Sequence, residues 1–331
     1  MSRLIADIRG LSVHFGEHLI VDGIDFSIQE NEILALVGES GCGKSTVALS
    51  LLRLLPDKGC TVAGKVLLGG RDILTVPENE LNDLRGSAVS IIFQDPSTAL
   101  NPVWSIGSQI VETLRRHRNI SAKAARRQAI DLLDLVAIPD PHRRIDDFPH
   151  QFSGGMRQRV MIAMAISCNP RLLVADEPTT ALDVTTQAQV LELLDKLRRD
   201  LSMSILLITH DLSLVADWAD RVVVMYGGQI CESAPTRSLF SAPFHPYTQC
   251  LLASIPPLSG GPTHRTGRLF EGPSAGVVTA SAAGCRYAAR CDRAEASCLS
   301  AKPAIFSVGA GSHLAACPVV KPSVSLAATV I

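Results

Sequence analysis

The segment Gly38-Glu39-Ser40-Gly41-Cys42-Gly43-Lys44-Ser45 constrains this chain more than any other. It fits G-x-x-x-x-G-K-[ST] in full. It follows the apolar run Ile33-Leu-Ala-Leu-Val37 and precedes a stretch of helical texture, the strand–loop–helix context that gives such a loop its meaning. Glycines let backbone N–H groups wrap phosphate oxygens without Cβ clashes, and the following helix start adds a positive end. Lys44 is expected to reach the β- and γ-phosphates and the Ser45 hydroxyl to bind Mg²⁺, with Thr46 helping at the same helix start.

Such a loop belongs on a mostly parallel sheet, and the rest of the chain agrees. Short apolar runs at Ser90–Phe93, Leu172–Ala175, Ser204–Ile208 and Val222–Met225 read as buried strands. Between them lie helical patterns. Val190, Leu193, Leu194, Leu197 and Leu201 fall on one face of a helix over 186–201, and Ser121 opens another through Val136. The expected fold is α/β: a P-loop NTPase core of the RecA-like kind, an antiparallel edge layer where residues 3–30 alternate polar and apolar, and an inserted helical lobe at about 95–165.

Two further segments carry chemistry. Leu172-Leu-Val-Ala-Asp176-Glu177 ends a strand in two carboxylates at the ligand edge of the sheet. Asp176 is expected to hold Mg²⁺ and Glu177 to orient or activate water. Phe152-Ser153-Gly154-Gly155-Met156-Arg157-Gln158 opens a helix with two glycines, a second anion site by the same backbone logic.

A second anion loop in one chain has an explanation in a known family. Ser153–Gln158, flanked by Pro149-His-Gln-Phe152 and Arg159-Val160, resembles the signature sequence of ABC-type ATPases, in the peptide-importer branch. The likeness runs from residue 3 to about 250, motifs in order. It implies that Gln94 senses Mg²⁺ and the attacking water, that Asp183 crosses the dimer, that His210 contacts the γ-phosphate and that Phe15 stacks on adenine. It implies two ATPase subunits facing head to tail. Each ATP then lies between one chain's Lys44 loop and the other's Ser153, Gly154, Gly155 and Gln158. The second ATPase is a paralogue or another copy. Two transmembrane permease subunits and, indirectly, a periplasmic or extracellular substrate-binding protein complete the assembly, on the cytoplasmic face of a prokaryotic inner membrane. The expected activity is Mg-dependent ATP hydrolysis powering uptake of di- or oligopeptides or related solutes. The alternative is a soluble ABC ATPase of DNA repair or translation.

Composition argues against that alternative. Lys plus Arg is 31 against 32 Asp plus Glu, so no global basic field is present, and aromatics are 4%. No coiled-coil heptads and no second phosphate loop occur, and nucleic acid is not an expected partner. Asp7 and Arg9 interrupt the N-terminus before an apolar signal region forms, and no run approaches the roughly 18 apolar residues of a membrane span.

Charge is uneven. Residues 1–235 carry 23 basic and 29 acidic side chains, whereas 236–331 carry 8 and 3. This suggests an ATPase domain over 1–235 and a compositionally distinct C-terminal extension over 236–331, with a Pro/Gly-rich linker at its start. Phe244-His-Pro-Tyr-Thr248 is by itself a proline turn with aromatic contacts. It resembles the signature opening the extension of peptide-importer ATPases. Cysteines 42, 60, 168, 231 and 250 read as ordinary buried residues. Cys285, Cys291, Cys298 and Cys317 cluster, with neither zinc-finger nor ferredoxin spacing. Their pattern resembles that of family members holding a [4Fe–4S] cluster, which is the expectation here. Zinc and unliganded thiols are the alternatives, and His313 stands near as a substitute ligand or hydrogen-bonding neighbour. A metal would then order the apolar-poor stretch 272–283.

Overall fold

In a computed structural model, which describes residues 3–180, 182–254, 283–308 and 312–320, the chain opens with two long strands, β1 (Leu4–Phe15) and β2 (His18–Gln29). They pair antiparallel, with Phe15 opposite His18 across a tight turn. Then come β3 (Ile33–Val37), α1 (Lys44–Ser50), β4 (Cys60–Leu68), β5 (Arg71–Asp72), α2 (Glu78–Leu84) and β6 (Val89–Ile92). A helical stretch follows: α3 (Pro96–Ala99), α4 (Ile106–His117), α5 (Ala122–Leu135), α6 (Pro141–Arg144) and α7 (Gly154–Ile166). Next are β7 (Leu172–Asp176), α8 (Val184–Leu201), β8 (Ser204–Thr209), α9 (Leu212–Trp218), β9 (Arg221–Tyr226) and β10 (Gln229–Pro235). The remainder gives α10 (Thr236–Ser241), α11 (Pro246–Ala253), α12 (Ala296–Ser300), β11 (Phe306–Ser307) and β12 (Leu314–Ala315).

The fully apolar runs form the centre of the main sheet, whose order is β11-β12-β10-β9-β3-β8-β7-β6. β3 lies parallel between β8 and β9, and β7 and β6 continue in parallel beyond β8. β3, β6, β7 and β8 are each followed by helical segments before the chain returns to the sheet, whereas β9 turns directly into its antiparallel neighbour β10, and the C-terminal ends of the parallel strands line one edge. β1 and β2 join β4 and β5 in a separate antiparallel sheet, ordered β2-β1-β4-β5. The sequence pattern put only residues 3–30 in this layer. β4 escapes it because Ala63, Gly64 and Lys65 leave the middle of that strand exposed and break the alternation.

Three apolar clusters hold the layers. One joins the helical stretch, including Ile110, Leu133 and Ile162, to α8 and the face of β7 and β8 bearing Leu173 and Leu207. The second sits between the two sheets and encloses α1 through Val47, Ala48 and Leu51. The third packs α9, α10 and α11 against β9 through Val215, Leu239 and Tyr247. The caps follow sequence rules: Ser105, Ser121 and Ser153 each accept a backbone N–H at the start of α4, α5 and α7.

The described C-terminal residues are sewn to the same sheet. β12 pairs antiparallel with β10, Glu232 opposite Ala315, and covers an edge that would otherwise be open. Glu232, 1% exposed, accepts from the backbone N–H of Phe244 and His245 and from His313 Nε2 at 2.6 Å, so a buried carboxylate ties β10, α11 and β12 together. The Pro/Gly run at 256–262 and most of the stretch 272–283 lie outside the described residues.

Candidate functional site

The loop between β3 and α1 leaves the sheet edge under tight constraint. A Cβ on Gly38 would lie 2.1 Å from the Met225 carbonyl oxygen and 2.9 Å from Cys42 Sγ, so only glycine fits beside β9. Gly43, at φ +104°, makes the turn into α1. Lys44 is 5% exposed, and its ammonium donates to the carbonyls of Gly38 (2.8 Å) and Glu39 (3.0 Å) rather than to a carboxylate. A buried cation held chiefly by carbonyl dipoles is an anion-seeking group.

Adjacent parallel strands bring the other groups to it. Ile92 of β6 pairs with Ala175 of β7, and Asp176 pairs with Ile208 of β8, so the residues just beyond these strand ends meet. Ser45 Oγ donates to Asp176 Oδ1 at 3.1 Å. Burial pushes the Asp176 carboxyl upward and the Glu177 charge adds to it, against the Ser45 hydrogen bond and the Lys44 charge. Glu177 holds a left-handed backbone at φ +47° and gathers three side chains. Gln94 Nε2 donates to its Oε2 (2.9 Å), Thr180 Oγ1 donates to the same oxygen (2.9 Å), and His210 Nδ1 lies 3.1 Å from Oε1. Gln94 and His210 are exposed, so the cluster opens to solvent. Thr180 was not singled out from the sequence; the signal was a hydroxyl three residues after the carboxylate.

The second anion loop stands apart. Ser153 Oγ accepts the Met156 N–H (3.3 Å), Ser153 and Gly154 are exposed, and a Cβ on Gly154 would meet nothing within 4 Å. Among the described residues no hydrogen bond joins this loop to residues 38–46. Gln158 is 2% exposed, and its Nε2 lacks a partner among the described residues. Asp183 caps α8, accepting from Thr186 N–H (2.9 Å) and Oγ1 (2.7 Å), which pull its pKa down. Phe15 is half-buried at the end of β1, packed on the cluster between the sheets.

The expected metal centre is corrected. Among the described residues no group of three or more His, Cys, Asp or Glu side chains is arranged to hold a metal ion, neither an iron–sulfur cluster nor zinc. Cys298 and Cys317 are buried, and Cys285 and Cys291 are half-buried against the apolar cluster under α11. Burial raises the Cys285 and Cys291 pKa values. Packing of Tyr287 and the Arg290–Glu39 ion pair hold the described residues around Cys285 and Cys291. His313, expected near a metal, is bound to Glu232. Of the five cysteines read as buried, Cys42 and Cys231 are; Cys60, Cys168 and Cys250 are half-buried.

The sequence reading also missed what the C-terminal segment does to the loop. Tyr247 Oη accepts the Glu39 N–H (3.0 Å), and Arg290 Nη1 donates to both Glu39 carboxylate oxygens (3.0 and 2.9 Å). No local pattern could reveal these contacts, which join residues 208 and 251 positions apart.

Comparison with known proteins places the geometry in context. The family model of the ABC transporter matches residues 21–180, and that of the oligopeptide/dipeptide transporter C-terminal region matches 231–298. A probable peptide ABC transporter ATP-binding protein of Sinorhizobium fredii is 46% identical over 322 residues, covering 95% of this chain and 94% of its own length. A dipeptide transport ATP-binding protein of Haemophilus influenzae is 45% identical, covering 92% of this chain and 93% of its own. An oligopeptide transport ATP-binding protein of Bacillus subtilis is 49% identical, covering 78% and 73%. These names speak of transport and ATP binding, not of an iron–sulfur cluster. Among solved structures, a dimeric ATP-binding cassette bound to ADP and phosphate in a post-hydrolysis state superposes with a TM-score of 0.62 at 25% identity, covering 70% of this chain and 99% of that one.

Proposed function

The chain belongs to the ATP-binding proteins of ABC transporters and is a transport ATPase, and from that premise we propose that it powers import of di- or oligopeptides as one half of a head-to-tail pair of ATPases. The observation that carries the site assignment is the convergence of Gln94, Thr180 and His210 on Glu177, next to the Ser45–Asp176 pair and the carbonyl-bound Lys44.

MgATP suits this donor set. Lys44 offers a buried, carbonyl-bound cation to the β- and γ-phosphates. Ser45 and Asp176 offer hard oxygens to Mg²⁺, with Gln94 beside them. Bound Mg²⁺ would neutralise phosphate charge. Glu177 takes the proton of the attacking water, after releasing Gln94 or Thr180 from its Oε2. His210 lies beside Glu177 through Nδ1; with both ring nitrogens protonated it would donate to that carboxylate and, through Nε2–H, to the γ-phosphate. Ser153, Gly154 and Gly155, with Asp183 alongside, close over the nucleotide of the second subunit, and Gln158 supports that loop from inside. Phe15 stands by the adenine.

In this reading residues 1–235 are the ATPase domain, 95–165 are its helical lobe, and 236–331 are the peptide-importer extension. The partners are two transmembrane permease subunits, a second ATPase and, indirectly, a substrate-binding protein outside the membrane. No helix among the described residues is long and apolar enough to cross a membrane, and we place the chain peripherally on the cytoplasmic face. Affinity purification from gently solubilised native membranes, with companions identified by mass, tests this. Two multi-span proteins and a paralogous ATPase, or a doubled copy of this chain, are expected. Ribosomes, DNA or no companion would overturn the importer reading.

A further inference from the structure

Glu39, the residue after Gly38 in the phosphate loop, is held on three sides. Its carbonyl accepts from Lys44, its N–H donates to Tyr247, and its carboxylate is clasped by Arg290. Arg290 is itself built into place. Its Nη1 also donates to Tyr226 Oη (3.2 Å), and its guanidinium lies 5.7 and 5.9 Å from the ring centres of Tyr226 and Tyr287. Tyr226, Tyr247 and Tyr287 form one packed group, with centroids 4.6 to 5.3 Å apart. Burial works against the Arg290 charge, yet its bonds to Glu39 and Tyr226 hold its pKa above the ordinary arginine value. Burial pushes the Tyr247 phenol up, so it stays neutral.

The arrangement has an electrostatic purpose. Glu39 is an acid in a loop meant for anions, and its carbonyl already touches the ammonium that meets the phosphates. Left unpaired, that carboxylate would repel the triphosphate. We propose that Arg290 is a positioning residue for nucleotide binding: it neutralises and fixes Glu39, so the C-terminal segment directly sets the affinity of the phosphate loop. The inference rests on reading residues 38–45 as that loop.

The test measures MgATP binding to the full-length chain by equilibrium titration, with thermal melting alongside. Wild-type, Arg290→Ala, Arg290→Lys, Glu39→Gln and the double variant Arg290→Ala/Glu39→Gln are compared. One unpaired carboxylate in the phosphate loop is expected to raise Kd about five- to tenfold in Arg290→Ala. Arg290→Lys should recover most of this. In the double variant Kd should return to within about twofold of the wild-type value, because neither an unpaired carboxylate nor an unpaired guanidinium is left beside the loop. The gap between wild type and Arg290→Ala should narrow in high salt. An unchanged Kd in a folded Arg290→Ala, or a weakened Kd that Glu39→Gln fails to relieve, overturns the proposal. Should Arg290→Ala not fold, Glu39→Gln decides: Kd must fall to or below the wild-type value, and a tenfold rise refutes the charge argument. Failure of the wild-type chain to bind MgATP would instead strike the phosphate-loop assignment itself.

Discussion

Replacing Gly154 with alanine separates what the fold needs from what the function needs. Gly154 opens α7, and its backbone lies outside the left-handed region. A Cβ built there meets nothing within 4 Å. The contrast with Gly38, whose Cβ would lie 2.1 Å from a backbone oxygen, is direct: folding demands glycine at 38 and not at 154. Alanine restricts the unfolded chain and suits a helix, so Gly154→Ala should stabilise the protein by about 0.4–1 kcal/mol. The open space is where the second subunit's nucleotide is proposed to seat. A methyl pressed into a close contact costs about 1–3 kcal/mol, which is about a 5- to 150-fold loss in turnover. The assay pairs urea denaturation of the purified chain with steady-state ATPase of the reconstituted transporter. MgATP binding to the isolated chain should be untouched, since the residue serves the opposite site. A Gly154→Ala variant that turns over at the wild-type rate would refute the composite site. One that is destabilised would refute the claim that the fold leaves this position free.

Three other outcomes follow from the same contacts. Glu177→Gln should lower hydrolysis by about 10²- to 10⁴-fold while leaving MgATP binding, and an ATP-bound dimer should accumulate on size exclusion; persistence of native turnover would remove Glu177 from its role. His245 is 2% exposed, accepts the Tyr247 N–H through Nδ1, and has its pKa lowered by burial to about 4. Its depressed folded-state value means the stability is present above about pH 6.5 and is lost as pH falls toward 4, by about 2 kcal/mol between pH 7 and 5. Denaturation of wild type and His245→Asn at both pH values checks this, the variant losing that dependence. Leu197→Ala, truncating a fully buried side chain of α8, should cost about 2–5 kcal/mol in the same assay, with MgATP affinity preserved wherever the chain remains folded.

The parallel strands were legible because a strand buried on both faces is an unbroken apolar run, and Ile33–Val37 and Leu172–Ala175 are buried at every position. The pair Asp176 and Glu177 stood out as a candidate site because such a strand must end at the ligand edge, and the structure places Glu177 beside Gln94, Thr180 and His210. Strands governed by partners elsewhere were not. β12 is two residues long and exists because β10 offers an edge. The cysteines misled because their number and clustering suggest a shared ligand, whereas the side chains pack as burial and neighbouring ion pairs dictate. Gln158 looked like part of an exposed anion loop; one helical turn past Ser153 it already faces inward. Arg290 carried no local signal, since its partner lies at the other end of the chain.

The place of β3 bears on how the molecule is made. Its neighbours are β8 and β9, with Ile33 opposite Ile205 and Leu34 opposite Arg221. During synthesis the phosphate loop therefore emerges long before either strand that will flank it, and the centre of the main sheet closes only once about two-thirds of the polypeptide has left the ribosome. The helices from 96 to 166 touch mainly one another and can settle early. The nucleotide site is then a late product of synthesis, and a nascent chain stalled before residue 204 carries every residue of its phosphate loop without the sheet that shapes it.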